Sequence, residues 1–162
     1  MTLAKSLGGG LAMGSMLCRK HIAAAFTPGT HGTTLGGNHI TAAAALAYVS
    51  ELVEGDWATK ADLQGGKFEG LLTERLSRFK SFREIRRRGL MMAVELEEKA
   101  GDVLLECELN GLLVNVTGGE NIRMLPPLNV TDEQINHAVD ILAGALKSVF
   151  APQRPEDPDM KH

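Results

Sequence analysis

The chain has 162 residues, 44% of them hydrophobic and 23% charged, which fits a folded protein the size of one ordinary domain rather than a disordered one. A net charge of −3, a pI near 5.9 and only 4% aromatic residues argue against nucleic acid or an anionic membrane as a partner. Cys18 and Cys107 stand far apart without metal-ligand spacing, so they read as reduced packing thiols and no metal site is expected. No apolar run approaches the roughly 20 residues of a membrane span, and the first residues lack the parts of a signal peptide. A cytoplasmic location is therefore expected.

The first stretch, Thr2-Leu3-Ala4-Lys5-Ser6-Leu7-Gly8-Gly9-Gly10, sets one lysine between small or apolar residues and three glycines. In a packed, partly dry site desolvation would favour the neutral amine, which is the nucleophilic form. Glycines let backbone turn sharply and let other groups approach. A Schiff base to an aldehyde cofactor such as pyridoxal phosphate needs both features. A surface lysine before a flexible turn has the same local sequence. The opening Met1 to Ala4 reads as the end of a strand with no partner strand before it.

Leu11 to Cys18 is an apolar run broken by Gly14 and Ser15 that suits a buried strand, with a helix as the alternative. Ile22 to Phe26 allows one or two helical turns, stopped by Thr27-Pro28-Gly29. The loop Thr30 to Asn38 is rich in glycine and hydroxyls, and Thr33 and Thr34 suit an anionic oxygen. Equally, it is the composition of an ordinary turn. Asn38 caps a predicted helix over Ile40 to Leu52. A second helix is predicted from Trp57 to Phe79, weakened at Gly65-Gly66 by about 1 kcal/mol per glycine.

From Phe82 to Leu96 the second half predicts a strand. Arg86-Arg87-Arg88 reads as a solvated entry to it or as internal ion pairs, with anion binding the less favoured use. Glu97 to Asn110 predicts a helix ended by Asn110-Gly111. Leu112–Val116 and Asn121–Leu125 predict antiparallel strands joined through Thr117-Gly118-Gly119-Glu120. Thr131-Asp132-Glu133-Gln134 has capping-box character and opens a helix to about Val149. Residues 151–162 hold three prolines and many charges and read as a disordered tail. The order from Phe82 predicts an α+β unit with a small sheet covered on one face.

Several separated motifs, taken together in this order, resemble the C-terminal part of class III, pyridoxal-phosphate-dependent aminotransferases of fold type I. They are the Thr2–Gly10 stretch, His31-Gly32-Thr33-Thr34-Leu35-Gly36-Gly37-Asn38, Arg88-Gly89-Leu90-Met91, Gly111 to Thr117, and Asn121 to Leu128. The last two incline the resemblance toward the acetylornithine branch, with ornithine aminotransferases and related ω-transaminases close by. The resemblance implies an α/β and α+β architecture. Residues 1–80 would be a remnant of the large cofactor-binding domain and 81–150 the small domain. It implies Lys5 as the Schiff-base and proton-transferring lysine. Thr34 would be a cofactor-phosphate ligand given across a homodimer, with Thr33 beside it contacting substrate. Arg123 would be the partner of a substrate α-carboxylate, a role that suits its planar guanidinium. Partners would be an amino acid and a 2-oxo acid.

His39, Ala12 and Arg87 depart mildly from the family pattern. The family's residues that grip the phosphate, stack on the pyridine ring and hold its nitrogen protonated have no counterpart in these 162 residues. The resemblance therefore implies a truncated chain that is inactive alone. A half of a split enzyme and a non-catalytic interaction module are the alternatives. Acetylornithine, succinylornithine, ornithine and 4-aminobutyrate stay open as amino donors.

Overall fold

A computed structural model describes residues 1–150, and the proposed tail lies outside the described residues. The chain forms two units that divide between Ala58 and Thr59.

In the first unit, β1 (Thr2–Leu3) pairs antiparallel with β2 (Ser15–Met16), with Thr2 opposite Met16 and Leu3 opposite Ser15. The Leu17 amide donates to the Met1 carbonyl at 2.8 Å and extends the ladder by one step. The expected buried strand over Leu11 to Cys18 is thus reduced to two residues, and Leu11, Met16, Leu17 and Cys18 are exposed. No third strand lies on this ladder among the described residues, and Leu3 and Met16 on it are exposed.

Between the strands, Lys5–Gly8 forms a 3₁₀ turn, and a short helix α1 (Lys20–Ala23) follows β2. Helix α2 (His39–Glu54) starts where the sequence predicts it. Asn38 Oδ1 accepts the Thr41 amide at 3.1 Å, and Asn38 Nδ2 donates to the Leu35 carbonyl at 2.9 Å. Gly8 and Ala45 are the buried residues of this unit, and Leu35, Ile40, Leu46 and Val53 each remain at least 70% exposed.

Most of helix α3 (Trp57–Leu76) belongs to the second unit. It precedes a four-stranded antiparallel sheet of order β3-β4-β6-β5, built from β3 (Phe82–Arg88), β4 (Met91–Leu96), β5 (Asn115–Thr117) and β6 (Asn121–Met124). Alternation decides the faces. Met92, Val94 and Leu96 on β4, with Ile122 and Met124 on β6, point into the core, while Met91, Ala93, Glu95 and Arg123 occupy the opposite face. The core is closed by Phe68, Leu72 and Leu76 of α3, by Val103 and Cys107 of α4 (Ala100–Leu109), and by Ile135, Val139, Leu142 and Leu146 of α5 (Asp132–Val149). The small sheet covered by helices on one face is the architecture expected from Phe82 onward. Cys107 fills the packing role expected of it, and Cys18 does not, being exposed.

Three details differ from the sequence reading. The arginine run is itself strand β3, because Gly89, at φ 55°, closes a two-residue turn that folds Arg88 back opposite Met91. Helix α4 starts at Ala100 rather than Glu97. The Glu97 amide still donates to the Ser81 carbonyl at 2.8 Å, Lys99 takes φ 62°, and Glu120 Oε2 accepts the Ala100 amide at 3.0 Å. Strand β5 starts at Asn115 rather than Leu112, because the Leu112 amide donates to Cys107 O at 2.9 Å and finishes the helix instead of joining the ladder.

The capping box of α5 is complete. Gln134 N donates to Thr131 Oγ1 at 3.2 Å, and Thr131 N donates to Gln134 Oε1 at 3.0 Å.

Candidate active site

Lys5 opens the 3₁₀ turn with φ 60°, a left-handed conformation that is uncommon outside glycine. Such a residue costs of order 1–3 kcal/mol and persists where neighbouring structure dictates it. Here β1 runs directly into the turn, and α2 lies against its far end. A Cβ on Gly9 (φ 59°) would sit 3.7 Å from the Ala44 carbonyl oxygen and from Tyr48 Cβ, and the Tyr48 hydroxyl donates to Ser6 Oγ at 3.0 Å. The Lys5 amine has no hydrogen bond or ion pair among the described residues. The packed, dry setting expected for it is not present. Lys5 is exposed, because no described side chain of this sparsely buried unit closes over it.

The Thr33–Asn38 loop faces the segment after the glycines across a depression of about 600 Å³, lined by Leu11, Met13, Gly14, Thr33, Asn38 and Thr41 among others. A Cβ on Gly36 would overlap the Thr33 methyl group and lie 3.3 Å from Thr33 Oγ1, so the Thr33 side chain would have to turn away. Thr34 is exposed and does not line the depression, and neither does Lys5. Tyr48 and Ser6 escaped the sequence reading, because their bond joins positions 42 residues apart.

Arg123 belongs to the second unit. It is half-buried on β6, opposite Ala93 of β4 and Asn115 of β5. Its sheet face carries Arg86 and Arg88 of β3 as well, and these three arginines, with Arg87, Met91, Met92 and Ala93, line a concavity of about 290 Å³. Arg86 is neutralised. Its guanidinium donates to Glu95, Glu84 and Asn121, and the two glutamates, Glu95 foremost, raise its pKa above the usual arginine value. Arg87 points to the opposite face. It donates to Asp62 Oδ1 at 2.6 Å and to Glu69 Oε2 at 2.7 Å, both on α3, and these bonds, with Asp62 the larger cause, raise its pKa as well. For these two arginines the ion-pair reading holds. Arg88 and Arg123 have no acidic partner among the described residues.

The family model for aminotransferase class III matches residues 1–146. The chain belongs to the class III aminotransferases. Acetylornithine aminotransferase from Methanothermobacter thermautotrophicus is 36% identical over 91% of this chain and 38% of its own length. The Bacillus subtilis enzyme of that name is 39% identical over 90% of this chain and 38% of its own. The ornithine aminotransferase of Toxoplasma gondii superposes with a TM-score of 0.83 at 32% identity, over 91% of this chain and 36% of that one. Acetylornithine aminotransferase from Elizabethkingia anophelis gives 0.82 at 28% identity, over 91% and 40%.

The chain thus spans about two fifths of the length of the relatives it matches. Class III aminotransferases are pyridoxal-phosphate-dependent, as the resemblance implies. Among the described residues the Lys5 amine is unengaged, and the Thr30–Asn38 loop offers hydroxyls and glycines. No described helix is long and apolar enough to cross a membrane. Among the described residues, no group of three His, Cys, Asp or Glu could hold a metal ion.

Proposed function

We propose that this chain serves pyridoxal-phosphate-dependent transfer of an amino group from acetylornithine to 2-oxoglutarate, in arginine biosynthesis in the cytoplasm. The observation that carries the reading is the Lys5 turn, where a lysine is held at left-handed φ with its amine unengaged, inside a chain of this family. When bound, the cofactor supplies an aldehyde and a conjugated ring that accepts electrons from the substrate Cα.

In this reading Lys5 would hold the cofactor through its Nζ and would move the proton at the substrate Cα. Thr34 offers its hydroxyl and amide to the phosphate of the neighbouring subunit's cofactor in a homodimer, and Thr33 borders the substrate. Arg123 holds a substrate carboxylate through its planar guanidinium, and the absence of an acidic partner leaves it available. The acetylornithine branch is supported by similarity to acetylornithine aminotransferases such as those of Methanothermobacter thermautotrophicus and Bacillus subtilis, and the ornithine branch by similarity to the Toxoplasma gondii structure. We infer further that amino transfer needs polypeptide beyond these 162 residues, joined to them or supplied by another chain. The relatives carry the activity on chains of which this one spans about two fifths.

Two measurements test the reading. Adding pyridoxal phosphate to the purified chain should produce a visible absorbance change that Lys5→Ala abolishes. A folded chain with no Lys5-dependent change refutes the cofactor role. In an enzyme completed with the remaining polypeptide, Arg123→Lys should raise KM for 2-oxoglutarate, and an unchanged KM refutes the carboxylate role.

A further inference from the structure

Lys5 stands at a bend that is held from both sides. Upstream, Ala4 is extended and Leu3 is paired with Ser15 in the β1–β2 ladder. Downstream, Leu7 N donates to the Ala4 carbonyl at 3.3 Å, so Lys5 and Ser6 are the central residues of a tight turn. Lys5, at φ 60°, takes the first central position, where positive φ normally calls for glycine. The bond that closes this turn is longer than the usual N–H···O range, so the backbone alone holds it weakly.

Helix α2 supplies a second hold. Ala44 and Tyr48 lie one helical turn apart on one side of α2. Gly9 packs there, since a Cβ on it would sit 3.7 Å from the Ala44 carbonyl oxygen and from Tyr48 Cβ. From that end the half-buried Tyr48 side chain reaches back to Ser6, where its hydroxyl donates to Oγ at 3.0 Å. Among the described residues neither hydroxyl has another hydrogen bond. Tyr48 thus spans the 3₁₀ turn from Gly9 to the residue next to Lys5.

With Leu3 fixed in the ladder and Ser6 fixed on α2, the backbone between them has little room to relax. Releasing Ser6 lets Lys5 return to the negative φ that side-chain-bearing residues favour. The Cα–Cβ direction turns with that change, and the amine is carried to a different place. Glycine at position 5 would remove the strain but also the amine.

We propose that Tyr48 is a positioning residue for Lys5, and that its hydrogen bond to Ser6 holds the left-handed backbone that aims the Lys5 amine. This rests on the reading of Lys5 as the lysine that engages pyridoxal phosphate.

The test uses the full chain and two readouts. The first needs no cofactor and is amide hydrogen exchange at Leu7 and Gly9, which donate to the Ala4 and Ser6 carbonyls. Tyr48→Phe removes only the hydroxyl. It should speed both amides about fivefold, the factor for one lost neutral hydrogen bond, and leave the amides within α2 unchanged. The second readout is trapping with pyridoxal phosphate and borohydride, mapped as the ratio of label on Lys5 to label on exposed Lys20. That ratio should fall about fivefold in Tyr48→Phe and equally in Ser6→Ala, with no further fall in the double variant. Ser6→Thr keeps a hydroxyl and should retain most of the ratio.

Unchanged exchange at Leu7 and Gly9 in Tyr48→Phe overturns the proposal. So does an unchanged labelling ratio, or a further fall in the double variant. If the unaltered chain shows no preference for Lys5 over Lys20, the reading of Lys5 fails and the proposal with it. That outcome is distinct from a preference that Tyr48→Phe leaves intact, which sinks the role of Tyr48 alone. A general loosening of the unit would speed the α2 amides as well, and Ser6→Thr would then rescue nothing, which also counts against a positioning role.

Discussion

Replacing Gly65 by alanine gives a sharp test of how α3 meets the sheet. In an open helix interior glycine to alanine gains roughly 1 kcal/mol. At position 65 the new Cβ would overlap the Gly89 carbonyl oxygen and lie 2.7 Å from its carbon, closer than the 3.0 Å below which something must shift. Carbon pairs rest at about 3.5–4.0 Å, so the β3–β4 turn would have to retreat by on the order of 1 Å. The turn cannot yield easily. Gly89 is held at φ 55°, Leu90 beside it is buried, and Arg87 ties β3 back to Asp62 and Glu69. Overpacking against such a site costs about 1–3 kcal/mol, and against backbone the upper part of that range applies. The net expectation is a loss of about 1–2 kcal/mol.

Gly66 supplies the control. A Cβ there meets only Arg87 Nη2 at 3.6 Å, an ordinary contact, so Gly66→Ala should stabilise by about 0.5–1 kcal/mol. Urea unfolding of the full chain followed by circular dichroism measures both variants. If Gly65→Ala stabilises as Gly66→Ala does, the close approach of helix and turn is wrong, and with it the placement of Arg88.

Other outcomes follow from single features. Leu142→Ala, in a fully buried position on α5, should cost about 2–5 kcal/mol of stability in the same urea assay. Thr131→Ala removes the side-chain half of the capping box and should cost about 1 kcal/mol by that measure. Iodoacetamide should label exposed Cys18 in the folded chain and spare Cys107, whose thiol burial pushes up to about 11; equal labelling would contradict the core placement. The same shift has a sign in stability. The unfolded thiol ionises near its ordinary value while the folded one stays protonated, so stability should fall as pH rises from 9 toward 11. Cys107→Ala should flatten that slope.

What the sequence disclosed depended on how local the cause was. Asn38 and Thr131 each cap a helix with groups three residues away, so their patterns could be read directly. The helix-covered sheet followed from alternation in Met91–Leu96 and Asn121–Met124. Strand β3 was hidden because its outward positions are Glu84, Arg86 and Arg88, whose charges look like a solvated loop until β4 supplies Glu95. A period-2 count with Ile85 as the inward position was the signal available. That Arg88 and Arg123 share a sheet face could not be read at all, since it depends on the registers of both β3 and β6 against β4. The Lys5 motif is legible as chemistry, but its left-handed backbone and the support from Tyr48 arise from contacts across 42 residues that no local pattern carries.

The central claim is that Lys5 is the lysine that engages pyridoxal phosphate. The most direct measurement is borohydride reduction of the chain in the presence of the cofactor, followed by peptide mass mapping. The added mass should lie on the peptide containing Lys5 and disappear in Lys5→Ala. Mass spread over Lys20, Lys60, Lys67 and other surface lysines, with no preference for Lys5, would contradict it.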